Sequence, residues 1–256
     1  MARPHYAARR LRVHHWLGRV RVERMAQLNQ SRVYIRRQGR MTRAQSRGLA
    51  TLLEHYQVPS SATQVCWATL FGRVAPLCLE VGFGMGQALL ATAQRHPEWN
   101  CIGVEVYRPG IGALLNALEA AQLENVRIIE GDARAVLADS VAPGSLHRVM
   151  VFFPDPWPKS KHHKRRLVNA EFAALIASRL AADGELLLAS DWEHYAQAMQ
   201  VVLDAEPGLE NSAGAGHFAA RNDERPTTRF EARGLRLGHQ VWDLAYRRRD
   251  NITGNR

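Results

Sequence analysis

Three prolines and an indole surround one carboxylate in the stretch Phe153-Pro154-Asp155-Pro156-Trp157-Pro158-Lys159. Proline fixes φ and removes a backbone donor, so this run is expected to take an extended course that presents Asp155 and Trp157 rigidly. An aromatic ring and a carboxylate held side by side suit a purine base, one stacking on the ring and the other bonding to its edge. The plain alternative is a Pro-rich structural turn. The next eight residues, Lys159-Ser160-Lys161-His162-His163-Lys164-Arg165-Arg166, include seven that can carry positive charge. Such a run beside a base pocket is expected to contact phosphates. The paired His162 and His163 lack neighbouring carboxylates and would make poor metal ligands, so no metal is expected.

Upstream lies Leu79-Glu80-Val81-Gly82-Phe83-Gly84-Met85-Gly86. Gly82, Gly84 and Gly86 would let the backbone turn tightly and approach a ligand, with free amides at the start of the following helix. Gln87 stands where a dinucleotide fingerprint needs a third glycine or an alanine. An acid, Glu80, followed by the G-x-G-x-G spacing instead resembles the first motif of Rossmann-like methyltransferases. Glu105, 23 residues after Gly82, ends an apolar run and could accept both hydroxyls of a ribose. Asp132, in Glu130-Gly131-Asp132-Ala133, could accept from an adenine amino group. These acids would form a nucleoside-binding rim. Asp191 follows another apolar run and has an alternative reading as a helix N-cap. The stretch Arg225-Pro226-Thr227-Thr228-Arg229-Phe230-Glu231 would by itself be ordinary turn chemistry.

The elements that must hold these residues alternate. Strands are predicted at Leu77–Val81, Cys101–Val106, Val126–Ile129, Arg148–Phe153 and Glu185–Ala189, with amphipathic helices at Gln87–Gln94, Ile111–Ala121, Val168–Leu180 and Glu193–Leu203. That alternation implies an α/β fold, a mostly parallel sheet with helices on both faces. A last strand, Val241–Tyr246, is expected to join antiparallel. Thr42 and Gln45 form a capping-box pattern that starts a helix, and Val58-Pro59-Ser60-Ser61 ends it. The expected organisation is a basic arm at 1–38, a helical extension at 39–75, the α/β domain at 76–249 and a tail at 250–256.

Composition narrows the class. The 256 residues are 46% apolar, enough for one sizeable core, and no apolar run is long enough to span a membrane. No apolar segment follows the amino-terminal arginines, so a secretory leader is not expected. Residues 1–50 carry 13 arginines, no lysine and one acid, Glu23, a balance of +12, whereas the remainder balances at −2. An arginine-rich arm binds polyanions by forking onto phosphates and releasing counterions; a solvated tail is the bland alternative. Cys66, Cys78 and Cys101 are odd in number and widely spaced. They suggest neither a disulfide framework nor a zinc site, and each is expected in the core of a protein from a reducing, cytoplasmic compartment.

Together these residues resemble the bacterial tRNA (guanine-N7)-methyltransferase family. The resemblance runs from Tyr34-Ile35-Arg36-Arg37-Gln38-Gly39-Arg40 to Val241-Trp242-Asp243-Leu244, and residues 1–30 lie outside it. Its specific parts are the Pro154–Lys159 motif and Thr228-Arg229-Phe230-Glu231. It implies a seven-stranded Rossmann-like class I methyltransferase sheet and S-adenosylmethionine bound by Glu80, Gly82, Gly84, Gly86, Glu105, Asp132 and Asp155. Asp155 would also be catalytic. Lys159, Asp191, Thr228, Arg229, Phe230 and Glu231 would contact the substrate, a guanosine of the tRNA variable loop.

The chemistry agrees with so sparse a catalytic set. Guanine N7 has an in-plane lone pair and no proton, so methyl transfer to it needs alignment and no general base. The ring becomes cationic, and a nearby carboxylate such as Asp155 would stabilise that charge. Enzymes that methylate exocyclic amines of nucleic acids place an Asp-Pro-Pro-aromatic motif in the same place, whereas the order here is Asp155-Pro156-Trp157-Pro158. A non-catalytic RNA-binding protein on this fold would be favoured by missing rim acids or glycines, and all are present. A monomer or homodimer is expected, with no obligate protein partner.

Overall fold

The computed structural model describes residues 39–59, 62–63, 65–227, 231–232, 238 and 240–249. The basic arm expected at 1–38, residues Thr228, Arg229 and Phe230, and the tail at 250–256 lie outside the described residues.

Helix α1 (Arg43–Tyr56) begins with the capping box read from the sequence. The Gln45 amide donates to Thr42 Oγ1 (3.2 Å) and the Thr42 amide to Gln45 Oε1 (2.9 Å). A short helix, α2 (Trp67–Phe71), follows. The alternating region is β1 (Leu77–Val81), α3 (Gln87–Arg95), β2 (Asn100–Glu105), α4 (Arg108–Ala121), β3 (Val126–Glu130), α5 (Ala133–Asp139), β4 (Leu146–Phe152), a 3-10 helix (Ser160–Arg165), α6 (Ala170–Arg179), β5 (Leu180–Ser190), α7 (Glu193–Asp204), β6 (Leu209–Asn211) and β7 (Trp242–Arg248).

The strands form one sheet in the order β3-β2-β1-β4-β5-β7-β6. The pairings among β1 to β5 are parallel, and β7 runs antiparallel to both β5 and β6. Every residue of β1 and β2 is buried, as befits strands covered on both faces. One face carries Cys78, Cys101, Ile128 and Met150 against Leu89, Leu114 and Leu118 of α3 and α4. The other carries Leu79, Val104, Val149 and Leu188 against Trp67, Leu137, Ile176 and Met199 of α2, α5, α6 and α7. The first face is deepened by α1, which crosses α4 closely because both helices present glycine. A Cβ on Gly112 would lie 2.4 Å from the Gln45 carbonyl, and one on Gly48 2.8 Å from the Gly112 carbonyl.

The five parallel strands and β7 stand where the sequence predicted them, within a few residues at the ends. Four short elements were not legible: α2, α5, the 3-10 helix and β6. Strand β5 starts at Leu180, five residues before the predicted Glu185, and carries a left-handed residue at Asp183 (φ 57°) and a register shift against β4. Cys78 and Cys101 are core residues, whereas Cys66, expected in the core, is exposed at the start of α2. Among the described residues, no helix is long and apolar enough to cross a membrane.

Strand order reverses between β1 and β4: β1 continues to β2 on one side and lies beside β4 on the other. In parallel sheets the crevice beyond the carboxyl ends at such a reversal is where ligands bind. The glycine turn after β1 and the Pro-rich stretch after β4 flank it.

Candidate active site

The turn from β1 to α3 is built on Gly82, Gly84 and Gly86, whose φ values of 67°, 56° and 78° lie in the left-handed region that side chains rarely adopt. A Cβ on Gly82 or Gly84 would meet nothing within 4 Å, so the turn is open on that side. The first turn of α4 presses against its other side, where a Cβ on Gly110 would collide with the Gly84 carbonyl at 1.8 Å. Glu105 ties these pieces together. Its Oε2 accepts from the Gly84 amide at 2.7 Å, and its Oε1 from the Val106 and Tyr107 amides at 2.7 and 2.9 Å. An ionised carboxylate offers about four acceptor sites, so the protein itself fills most of them. The bidentate ribose contact expected from sequence therefore has a competitor: Glu105 first braces the glycine turn.

Glu80 sits beneath the same turn, only 3% exposed, and its Oε2 has no hydrogen-bond partner. Burial, and next the Glu105 carboxylate on the adjacent strand, push its pKa up to about 8, with the Leu89 amide opposing. An acid so placed is neutral at pH 7 until a cation or donor reaches it. Asp132, at the end of β3, caps α5 by accepting from the Arg134 amide through Oδ1 (2.7 Å).

The stretch after β4 is not simply extended. Phe153 (φ 52°) and Trp157 (φ 44°) are both left-handed, and each precedes a proline. Two sharp turns thus bracket Asp155, which is exposed at the crevice. Arg166 holds the stretch from one side. It is 6% exposed, its Nε donates to the Pro156 carbonyl (2.9 Å), its Nη2 to His194 Nδ1 (3.2 Å), and its guanidinium lies 4.7 Å from the Tyr195 ring centroid. Arg134 Nη2 donates in turn to the Arg166 and Leu167 carbonyls.

The basic run is therefore not uniform. Lys159, Lys161 and Lys164 are exposed, whereas Arg166 turns inward and is unavailable to a phosphate. His162 is held below its ordinary pKa, by desolvation first and then by Arg165, Lys161, Lys159 and Lys164, so it adds no charge at neutral pH. Trp157 is engaged by this run too, with the Arg165 guanidinium 5.0 Å and the His162 ring 5.9 Å from its ring centroid. Asp191 does not cap α7, because the N-cap is Trp192, whose amide donates to Ser190 Oγ (3.2 Å). Asp191 makes no hydrogen bond or ion pair among the described residues.

Toward the carboxyl end, Glu231 is 2% exposed and tied into a buried cluster that the sequence did not reveal. Arg225 donates to Glu231 (2.7 and 3.0 Å) and to Asp243 on β7 (3.1 and 3.2 Å). Its guanidinium lies 5.3 and 5.7 Å from the ring centroids of Phe153 and Phe152. A cavity of about 420 Å³ lies nearby, lined by Arg148, Glu185, Leu187, Glu224 and Asp243 among others. Its Arg148 is already paired with Glu185 (2.8 Å) and Glu224 (2.5 Å), and no residue of the glycine turn lines it.

Residues 74–244 match a family model described as "Putative methyltransferase". A tRNA (guanine-N(7)-)-methyltransferase of Thiobacillus denitrificans is 50% identical over 218 residues, covering 85% of this chain and 95% of the relative. One of Alkalilimnicola ehrlichii is 49% identical over 222 residues, covering 86% and 93%. The chain belongs to the tRNA (guanine-N7)-methyltransferase family. Among solved structures, the 16S rRNA methyltransferase KamB shares the fold with a TM-score of 0.53 and 14% identity, covering 76% of this chain and all of that one.

In this member of the tRNA (guanine-N7)-methyltransferase family, the sheet brings Glu80, Gly82, Gly84, Gly86, Glu105, Asp132 and Asp155 to the carboxyl ends of β1 to β4. Asp191 joins them from the end of β5, and Lys159 from the start of the 3-10 helix. Glu231 is held apart from the open rim by Arg225. Arg166, expected to contact phosphates, and Arg225, read as turn chemistry, are instead buried beside the Pro-rich stretch. Their only signal was an arginine in each motif, and nothing in the motif tells an inward from an outward side chain.

Proposed function

We propose that the chain transfers a methyl group from S-adenosylmethionine to N7 of a guanosine in the variable loop of tRNA, and that it works in the cytoplasm. One observation carries the reading: at the sheet's reversal point an open glycine turn over a buried, half-unpartnered acid faces a rigid Pro-rich stretch that exposes Asp155. Membership of the tRNA (guanine-N7)-methyltransferase family supports the choice of reaction.

The residues fit the cofactor. Glu80, with a buried oxygen that lacks a donor, is suited to the cationic end of a methionine moiety. The turn is open on the side where a Cβ on Gly82 or Gly84 would stand, its three glycine amides being taken by Val104, Glu105 and Phe83, and Glu105 braces it with one acceptor site to spare. Asp132 keeps Oδ2 for an adenine amino group while Oδ1 caps α5. S-adenosylmethionine supplies a methyl group already activated by its sulfonium charge.

Asp155 lies across the crevice, where its carboxylate stabilises the positive charge that grows on the guanine ring and orients the base for in-line attack. No general base is required, which agrees with the absence of a histidine or lysine beside Asp155 in the stretch 152–158. Lys159, Lys161 and Lys164 grip phosphates, and the arginines of 1–50 extend that grip along the RNA backbone. Asp191 and the segment Thr228, Arg229, Phe230 and Glu231 frame the guanosine, with Glu231 acting through Arg225.

The test is transfer of a tritiated methyl group to unmodified tRNA, followed by nucleoside mass analysis and mapping of the modified position. Methyl on guanine N7 of the variable loop is expected. Methyl on an exocyclic amine, or transfer to guanosines outside that loop, would overturn the proposal.

A further inference from the structure

Asp155 is exposed and makes no hydrogen bond or ion pair among the described residues, so its backbone alone sets its place. That backbone leaves β4 through Phe153, a left-handed residue before a proline (φ 52°). Such a conformation costs about 1–3 kcal/mol and persists only where its surroundings hold it. Two contacts hold it here. The Phe153 amide donates to the Ala189 carbonyl at 2.8 Å, and the Phe153 ring faces the Arg225 guanidinium at 5.3 Å.

Arg225 is itself fixed. It is 3% exposed and gives four hydrogen bonds to two carboxylates, Glu231 and Asp243. A buried ionic cluster of this kind adds little net stability over well-packed apolar side chains, because desolvation offsets the attraction. What it adds is geometry: a planar fork cannot satisfy both acids in a second orientation. The guanidinium is thus a fixed plate under the two aromatic residues from which the Asp155 stretch departs.

We propose that Arg225 is a positioning residue for methyl transfer, holding the turned backbone at Phe153 and through it the place of Asp155. The inference rests on the reading of Asp155 given above. It also explains why Glu231 is buried, since the acid acts by orienting the guanidinium. None of Arg225, Glu231 and Asp243 touches a reacting atom.

A double-mutant cycle tests it. Arg225→Lys keeps the charge but cannot fork to both acids. With tRNA as substrate it is expected to lower kcat by about 10- to 100-fold. The dissociation constant for S-adenosylmethionine should stay within about twofold, as should the effect of Arg225→Lys on kcat once Asp155→Asn is present. Equal fold losses with Asp155 and with Asn at that position would show a general structural role and overturn the proposal, as would unchanged kcat in the single variant. If Arg225→Lys fails to melt cooperatively, Phe153→Leu replaces it, removing the ring while keeping apolar bulk, and the same two outcomes decide. Full turnover by Asp155→Asn alone would defeat the reading of Asp155 and this proposal with it. Additivity beside an impaired Asp155→Asn defeats this proposal only.

Discussion

The two sides of the crevice are built on opposite plans. On the β1–β3 side the chain engages its acids before any ligand arrives: Glu105 takes three backbone amides and Asp132 caps a helix, while the buried Glu80 keeps an oxygen without a partner among the described residues. On the β4–β5 side Asp155 and Lys159 are exposed and Asp191 is half-buried, all three without a hydrogen bond or ion pair among the described residues, while the order lies behind them in Arg166 and Arg225. The first side suits a small ligand whose shape is always the same, met by groups already in place. The second suits a large polyanion, whose own charges complete the site on arrival.

The contrast can be broken by exchanging demand on each side. The largest effect is expected at Asp155→Asn, which should lower kcat by about 100-fold through lost charge stabilisation. Cofactor affinity in an equilibrium titration should change far less. Glu105→Gln should do the reverse. It replaces an anion that receives three amides and should weaken S-adenosylmethionine binding by about 1.5–3 kcal/mol, measured by calorimetry.

Glu80 gives a pH signature. Its carboxyl titrates at the usual 4.5 unfolded and at about 8 folded, so between these values the folded chain binds more protons and stability falls as pH rises. The slope contributed is about 1.4 kcal/mol per pH unit in that window. Glu80→Gln should flatten it, which melting curves from pH 5.5 to 8.5 would detect. The smallest effects belong to the exposed lysines. Lys161→Ala and Lys164→Ala should each reduce the log-log salt slope of tRNA binding by about 0.7–0.9 if the residue meets a phosphate. Arg166→Lys should leave that slope alone, since the side chain is buried.

Much of the first side was legible because its signals are local. Glycines, buried apolar strands and an acid at each strand end all declare themselves within ten residues of sequence. Parallel strands covered on both faces also read as apolar runs, which is why β1 to β5 stood out. The second side depends on contacts between distant residues. Arg225 and Asp243 are 18 residues apart and meet across an intervening segment, and Arg166 looks like its exposed neighbours until Pro156 and His194 claim it. Helix α5 was hidden by its brevity, seven residues behind Asp132, and β6 by having only three. The capping alternative for Asp191 failed because α7 starts one residue later, with Trp192 as its N-cap.

The order of the strands also bears on how the protein is made. Strand β7 lies between β5 and β6, yet it is the last of the three to be synthesised. Until Trp242–Arg248 has emerged, β6 has no partner in the sheet and Asp243 is not there to meet Arg225. The glycine turn and its acids draw on β1 to β3 alone, whereas the fixed plate behind Asp155 needs β7 as well. Readiness for chemistry therefore waits on β7, which supplies both the partner of β6 and the second acid of Arg225.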